Sequence, residues 1–153
     1  MLNASEQSVI HELKTICADG HRFYDMTARI VVSSEIRLLF HEMAHVRADI
    51  VNDINERFPK LEDTMPCSTS LALSMRSNYK LTHGMCDETI HKDCLADLEA
   101  METWSLAILK VNVRNIRDRR MSSYLAGHLA NIQLSQDRFS RFTTDDRRHR
   151  RSG

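Results

Sequence analysis

The sequence predicts an all-α protein built as a four-helix bundle, with two antiparallel helical hairpins joined by a long crossover. The chain of 153 residues contains only four glycines and two prolines, so long stretches have no helix breaker. Apolar residues recur at alternating spacings of three and four, which is the period of a helix with one buried face. Both prolines fall in one polar stretch between the two predicted hairpins.

The first hairpin is predicted from two long apolar lines. A helix is expected over 5–31, where Asn3 and Glu6 form a capping box, and a second over 34–58, where Pro59 ends it. So few residues separate the two that they must be antiparallel neighbours. The apolar line of the first helix is Ile10, Leu13, Cys17, Gly20, Tyr24, Thr27 and Val31. That of the second helix is Ile36, Phe40, Met43, Arg47, Ile50 and Ile54.

The crossover, 59–86, contains a short predicted helix over 69–80. Helices three and four are predicted over 87–113 and 120–142, and the basic tail 143–153 is expected to be disordered because it has no apolar residue. A single long crossover between two hairpins is the ferritin-like connectivity, unlike that of a bundle with only short loops. The Cys-x-x-Gly of Cys17 and the Cys-x-x-Asp of Cys94 form a weak internal repeat between helices one and three.

Composition excludes several classes of protein. Lys plus Arg and Asp plus Glu number 21 each, which gives no global attraction to nucleic acid or to an acidic membrane. Arginines cluster between helices three and four and in the tail, but without interleaved aromatic residues nucleic-acid binding is not expected. There is no signal-like start and no membrane-spanning run. Four cysteines without a C-x-x-C pair predict reduced thiols in the cytoplasm.

Several short motifs resemble those of an uncharacterised bacterial family of ferritin-like four-helix-bundle proteins. These motifs are "CADGHRFY" in helix one, "EIRLLF" and "VRADI" in helix two, "HKDCLADLEA" in helix three and "SQDRF" in helix four. In the last motif Gln136 stands where the family has histidine. The resemblance covers roughly 7–142. It implies a ferritin-like fold and a role linked loosely to stress responses.

The segment His41-Glu-Met-Ala-His45 matches the H-E-x-x-H pattern of zinc metalloproteases. On a helical wheel, both histidines lie nearly opposite the apolar line of helix two, and Glu42 is also off that line. No third zinc ligand follows at the expected spacing and no sheet is predicted to form a cleft. We therefore interpret the two histidines as solvent-facing and do not expect a protease.

A complete di-iron site is not expected either. Such a site needs an inward-facing glutamate from each of two helices and Glu-x-x-His from each of the other two, and predicted helix four contains no glutamate. Zinc at His83, Cys86, His91 and Cys94 is also not expected, because the spacing matches no standard zinc site. No cofactor is predicted. The alternative is iron or zinc held by a divergent set, for which the candidate ligands are Cys17, Cys94, Glu102 and His128.

The predicted core contains polar residues that must find partners. Arg47 lies on the apolar line of helix two, and a buried arginine needs a carboxylate, for which Asp97 and Asp19 are the candidates. With Tyr24 and His128 they form a predicted core polar network. We interpret it as structural, with a ligand site as the alternative. Cys17 and Cys94 are predicted to be buried thiols.

These observations favour a non-catalytic bundle that acts through protein contacts, either with another protein or by self-association. The alternative is a divergent ferritin-like protein that binds metal or has a redox role.

Overall fold

The computed structural model describes residues 2–61 and 67–151, with side chains in the last helix described as far as Thr144. Within these ranges the chain forms five α-helices and no β-strand, which confirms the prediction of an all-α protein. The helices are α1 (Ala4–Ile30), α2 (Ser34–Arg57), α3 (Ser70–Met85), α4 (Lys92–Arg114) and α5 (Arg119–Arg151).

Four of the five helices begin with a side-chain cap, and in α5 the cap is the carboxylate of Asp118, which accepts the backbone N–H of Met121 at 3.0 Å. The carbonyl oxygen of Asn3 accepts the backbone N–H of Glu6 at 2.8 Å, and the hydroxyls of Ser33 and Thr69 accept the corresponding N–H groups of α2 and α3, each at 3.3 Å. Each cap satisfies one of the N–H groups that a helix start leaves without an intrahelical partner. The predicted capping residue Asn3 therefore starts α1.

The crossover helix α3 forms part of the wall of the bundle. α1 packs against α2 and α3, α2 packs against α5, and α4 packs against α5 and α3. Direct contact between α1 and α4 is slight, because α3 lies between them. The crossover is therefore a fifth packed element and contributes its own buried residues, Leu71, Ala72, Met75 and Tyr79.

Hydrogen bonds from α1 hold the crossover in place. The carboxylate of Glu12 accepts the hydroxyl of Thr69, and the carboxylate of Asp19 accepts Nε–H of Arg76 at 3.1 Å. The backbone N–H of Cys67 donates to the hydroxyl of Thr15 at 3.3 Å. Glu12 and Asp19 are both buried, so the interface between α1 and α3 is partly polar.

Helices α3 and α4 depart from their predicted boundaries. α3 extends five residues beyond the predicted end of its helix at 80, to Met85. α4 begins at Lys92, not at 87, because the residues before it form a turn. Asp87 accepts the backbone N–H of Thr89 at 2.9 Å, and the carbonyl of Glu88 accepts the N–H of Val32 at 2.8 Å. These bonds replace the predicted first turn of helix.

The prediction of a disordered tail from 143 is wrong for the described residues, because α5 continues to Arg151. No glycine or proline interrupts the chain between Thr143 and Arg151, and arginine has a high helix propensity. The hydroxyl of Thr143 contacts the carboxylate of Glu99 on α4, which holds the helix against the bundle at that point.

Candidate functional site

The polar centre of the protein is a buried ion pair between α2 and α4. Arg47 is 2% exposed and Glu102 is 4% exposed. Nη2 of Arg47 lies 3.0 Å from Oε2 of Glu102, and Nη1 donates to the backbone carbonyl of Met43 at 3.1 Å. The guanidinium carbon also lies 4.9 Å from the centre of the Tyr24 ring, within the range of a cation–π contact.

Two tyrosines also donate hydrogen bonds to the Glu102 carboxylate. The hydroxyl of Tyr24 on α1 donates to Oε1 at 2.8 Å, and the hydroxyl of Tyr79 on α3 donates to the same oxygen. Glu102 therefore joins α1, α2, α3 and α4 at one point. We call Tyr24, Arg47, Tyr79 and Glu102 the buried cluster.

Gly20 makes room for this cluster. A Cβ atom added at Gly20 would lie 2.8 Å from Cδ of Arg47, 2.9 Å from its Nε and 3.0 Å from the hydroxyl oxygen of Tyr79. Real Cβ atoms do not approach other heavy atoms this closely, so a side chain at this position would displace the arginine. The glycine on the predicted apolar line of α1 thus allows α2 and α3 to approach.

Burial perturbs the protonation of the groups in and around the buried cluster. Burial raises the pKa of Tyr24 and of Tyr79 well above the ordinary value, and the charge of Glu102 adds to the effect. Burial by itself lowers the pKa of Arg47, but the Glu102 carboxylate, together with the neighbouring Tyr24, Tyr79 and Cys17, more than offsets this and the pKa is raised. The tyrosines therefore stay neutral and the arginine stays charged throughout the ordinary pH range.

The side chains of the buried cluster are shielded from solvent and bonded to one another. Each of the four side chains is 4% exposed or less, and each bonds to another member of the buried cluster. Two surface grooves, of about 380 and 490 Å³, are lined by residues of the α4–α5 interface and of the turn before α4, and neither is lined by a cluster residue. The cluster offers no approach to a substrate from either groove.

The structure corrects the predicted partners of Arg47. Arg47 is buried and paired as predicted, but its partner is Glu102. Asp19 instead pairs with Arg22 and Arg76, at 2.9 and 3.1 Å, and Asp97 is exposed. The buried residues of α4 are Leu95, Leu98, Glu102, Ser105, Leu106, Leu109 and Val113. The predicted core line runs through Cys94 and Met101 and leaves Glu102 at its flank, so the prediction is wrong for these three residues.

His128 lies outside the buried cluster, contrary to the prediction. Its Nε2 is 2.8 Å from the Asp53 carboxylate on α2, which also accepts the hydroxyl of Tyr124. The guanidinium carbon of Arg57 lies 4.0 Å from the centre of the Tyr124 ring. The hydrogen bond from Tyr124 lowers the pKa of Asp53. This half-exposed group joins α2 to α5 and was not predicted, because Asp53 is off the apolar line.

The two predicted buried thiols differ. Cys17 is 1% exposed, as predicted, and burial raises its pKa to about 12. Cys94 is only half-buried, so the prediction is wrong there, because the core line of α4 runs past Leu95 instead. Cys94 and Cys86 are close enough to influence each other, and partial burial raises the pKa of both, that of Cys86 to about 12.

The candidate metal ligands Cys17, Cys94, Glu102 and His128 do not come together as a set. Cys17 is close enough to Glu102 to feel its charge, whereas Cys94 and His128 have the separate partners described above. Among the described residues, no group of three or more histidine, cysteine, aspartate or glutamate side chains is arranged to hold a metal ion.

The H-E-x-x-H segment is on the surface of α2. His41 and His45 are exposed, and Nε2 of His45 lies 3.4 Å from Asp49 on the same helix. Glu42 forms an exposed ion pair with Arg138 of α5 at 3.3 Å. The two histidines are therefore solvent-facing, as predicted.

Gln136 is a buried hydrogen-bond donor on α5. It is 3% exposed and donates to the carbonyl of Glu99 at 3.3 Å and to the hydroxyl of Thr103 at 3.1 Å. Both acceptors are on α4, so Gln136 ties α5 to that helix.

No protein-family model, curated protein or solved structure matches the chain. Within 2–61 and 67–151, none of the helices is both long and apolar enough to cross a membrane.

Proposed function

We propose that this protein is a non-catalytic helical bundle with ferritin-like connectivity that acts through contacts with protein surfaces. The order of the elements supports the connectivity, since α1–α2 and α4–α5 are hairpins and the crossover between them returns along the bundle. The buried cluster supports the non-catalytic part, because its polar groups are committed to one another.

The observation that carries the proposal is a solvent-facing apolar line on α4. Ala100, Trp104, Ala107 and Val111 follow one another at spacings of four, three and four, and all are exposed. Trp104 is 47% exposed and Val111 is 50% exposed. Tryptophan is enriched in the energetically important parts of protein interfaces, and a helix face with this spacing is one that another helix can pack against. We call these four residues the outer line of α4.

The proposal is tested by photo-cross-linking in cells. A photoreactive residue replaces Ala100 on the outer line, and a matched control replaces Asn52, which is exposed on α2. We expect a discrete covalent protein adduct from position 100 and none from position 52. Failure to form an adduct at position 100, with the protein folded, would contradict the proposal.

The alternative function, a metal-binding or redox protein, is favoured by the neighbouring, half-buried free thiols of Cys86 and Cys94. Metal analysis of protein purified without a histidine tag distinguishes the two functions. Stoichiometric iron or zinc, lost on replacement of both cysteines by serine, would support the alternative. A stress-associated role in the bacterial cytoplasm enters the proposal through the resemblance of the motifs alone.

A further inference from the structure

We propose that the outer line of α4 packs against the same line of a second copy of this chain, antiparallel about a twofold axis. This inference rests on the proposed function and names its partner. It follows from the size and charge of the residues along the line, taken in the order in which they occur.

The outer line has a charged residue at each end. Asp97 lies three residues before Ala100, and Arg114 lies three residues after Val111, so both continue the alternating spacing of three and four. Both are exposed. In the part of the chain that the structure describes, neither forms an ion pair. The face is therefore acidic at its start, apolar in the middle and basic at its end.

In an antiparallel arrangement of two copies, the acidic start of one outer line meets the basic end of the other, and the apolar parts meet in the middle. When Trp104 of one copy lies opposite Ala107 of the other, the register is fixed. Ala100 then lies opposite Val111, and Asp97 opposite Arg114. Each large residue meets a small one, which lets the helices approach, and each charge meets its opposite. A twofold axis repeats every contact, as in most homodimers.

A parallel arrangement of the two outer lines places identical residues opposite one another. It places Asp97 against Asp97, Arg114 against Arg114 and the two indoles against each other. Like charges placed opposite one another in an interface are destabilising. The macrodipoles of two antiparallel helices also oppose each other, which favours the same arrangement. The outer line therefore favours a partner helix that runs antiparallel and whose large and small residues are complementary to its own.

Sedimentation of the purified full chain over a wide concentration range tests the proposal. We expect the mass to rise with concentration from 17.7 kDa to twice that value. The single tryptophan, Trp104, lies at the proposed contact, so its fluorescence emission should shift to shorter wavelength over the same range. Trp104→Glu should abolish the rise in mass, and Ala107→Glu, which keeps the tryptophan on the same line, should abolish both changes. The control Leu38→Glu, at a residue that is 64% exposed on α2, should alter neither.

A charge exchange tests the orientation. Asp97→Arg alone and Arg114→Asp alone should each weaken association by roughly tenfold or more, because each places like charges opposite one another twice. The double variant Asp97→Arg with Arg114→Asp should restore it. Circular dichroism confirms folding of each variant, which is expected because the substituted side chains are exposed.

Three results would overturn the inference. They are a mass of 17.7 kDa at every concentration, a dimer that survives Trp104→Glu, and a double charge variant that fails to recover. A chain that stays monomeric when pure yet cross-links through position 100 to a different protein would overturn self-association and leave the proposed function intact. If the chain neither self-associates nor forms an adduct, both the self-association and the proposed function are contradicted.

Discussion

Arg47 and Glu102 lie 55 positions apart in the sequence and 3.0 Å apart in the core. Two tyrosine hydroxyls, from α1 and α3, donate to the same carboxylate. An ion pair this deeply buried is favourable only when hydrogen bonds replace the lost water. Here the replacement comes from the two tyrosines and from the Met43 carbonyl of α2, which accepts from Arg47, so the pair acts as a common attachment point for the bundle.

Removal of one member of the pair should be more costly than removal of both. Arg47→Ala is expected to lower the free energy of unfolding by roughly 3–5 kcal/mol, because it leaves a carboxylate buried without its cation. Glu102→Gln keeps an acceptor for the tyrosine hydroxyls but leaves Arg47 unpaired. The double variant Arg47→Ala with Glu102→Gln should be more stable than the sum of the single effects predicts, as measured by urea denaturation. Single costs that simply add would show that the two side chains are not coupled.

Replacement of two helical glycines by alanine should change the stability of the protein in opposite directions. Gly127→Ala on α5 is expected to raise stability by about 0.5–1 kcal/mol through helix propensity, because a Cβ there meets no atom within 4 Å. Gly20→Ala gains the same propensity but pushes against Arg47 and Tyr79, so we expect a net loss of about 1–3 kcal/mol. Thermal melts of the two variants provide matched measurements. A Gly20→Ala variant as stable as the parent would mean that Arg47 moves aside freely.

The buried tyrosines predict a loss of stability at alkaline pH. The pKa values of Tyr24 and Tyr79 are raised by burial in the folded state above 10.0, their ordinary value. The unfolded chain therefore loses these protons first, and the free energy of unfolding should decrease as pH rises above about 10. Their stabilising contribution is complete below that value. Tyr24→Phe with Tyr79→Phe should make the decrease shallower, whatever its effect at neutral pH.

Tyrosinate absorbance provides the direct measurement. In the native state, neither Tyr24 nor Tyr79 should ionise at its ordinary pKa, and both should do so once the protein is unfolded in denaturant. Ionisation of all three tyrosines at the ordinary value, before the fold is lost, would contradict the hydrogen bonds to Glu102.

The four cysteines should divide into two pairs in thiol labelling. Cys17 and Cys67 are buried, whereas Cys86 and Cys94 are half-buried. Native protein at neutral pH is expected to accept at most two labels and to do so slowly, because raised pKa values leave Cys86 and Cys94 with little thiolate. Mass spectrometry counts the adducts. Replacing Cys86 and Cys94 by serine should leave the native protein unlabelled, and rapid labelling of Cys17 would show that the core opens.

The sequence was sufficient to predict α1 and α2 and the burial of Arg47, because each helix has one clear apolar line. It was not sufficient for α4, whose apolar residues lie on several sides: Leu98 and Leu109 face the core, Met101 flanks it, and Trp104 and Val111 face solvent. Hydrophobic periodicity cannot select one face of such a helix. The choice of the wrong line placed Cys94 in the core and Glu102 at its edge.

Other differences came from interactions that periodicity does not describe. The turn at Asp87 delays the start of α4 through a side-chain hydrogen bond to the backbone. The continuation of α5 depends on intrinsic helix propensity in a segment without apolar residues. The pairing of His128 with Asp53 depends on which helices are neighbours, and this is known only once the packing order is known.

The position of the crossover helix has a consequence for cooperativity. The hairpin of α1 and α2 can form from contacts local in sequence, but in the isolated hairpin Arg47 has no carboxylate partner. If α4 then packs against it without α3, Glu102 is buried without the hydrogen bond from Tyr79. Intermediates that lack any one of these helices therefore leave a charge or a hydroxyl unpaired in the core. The chain should fold in a single all-or-none transition, with the two hairpins melting together.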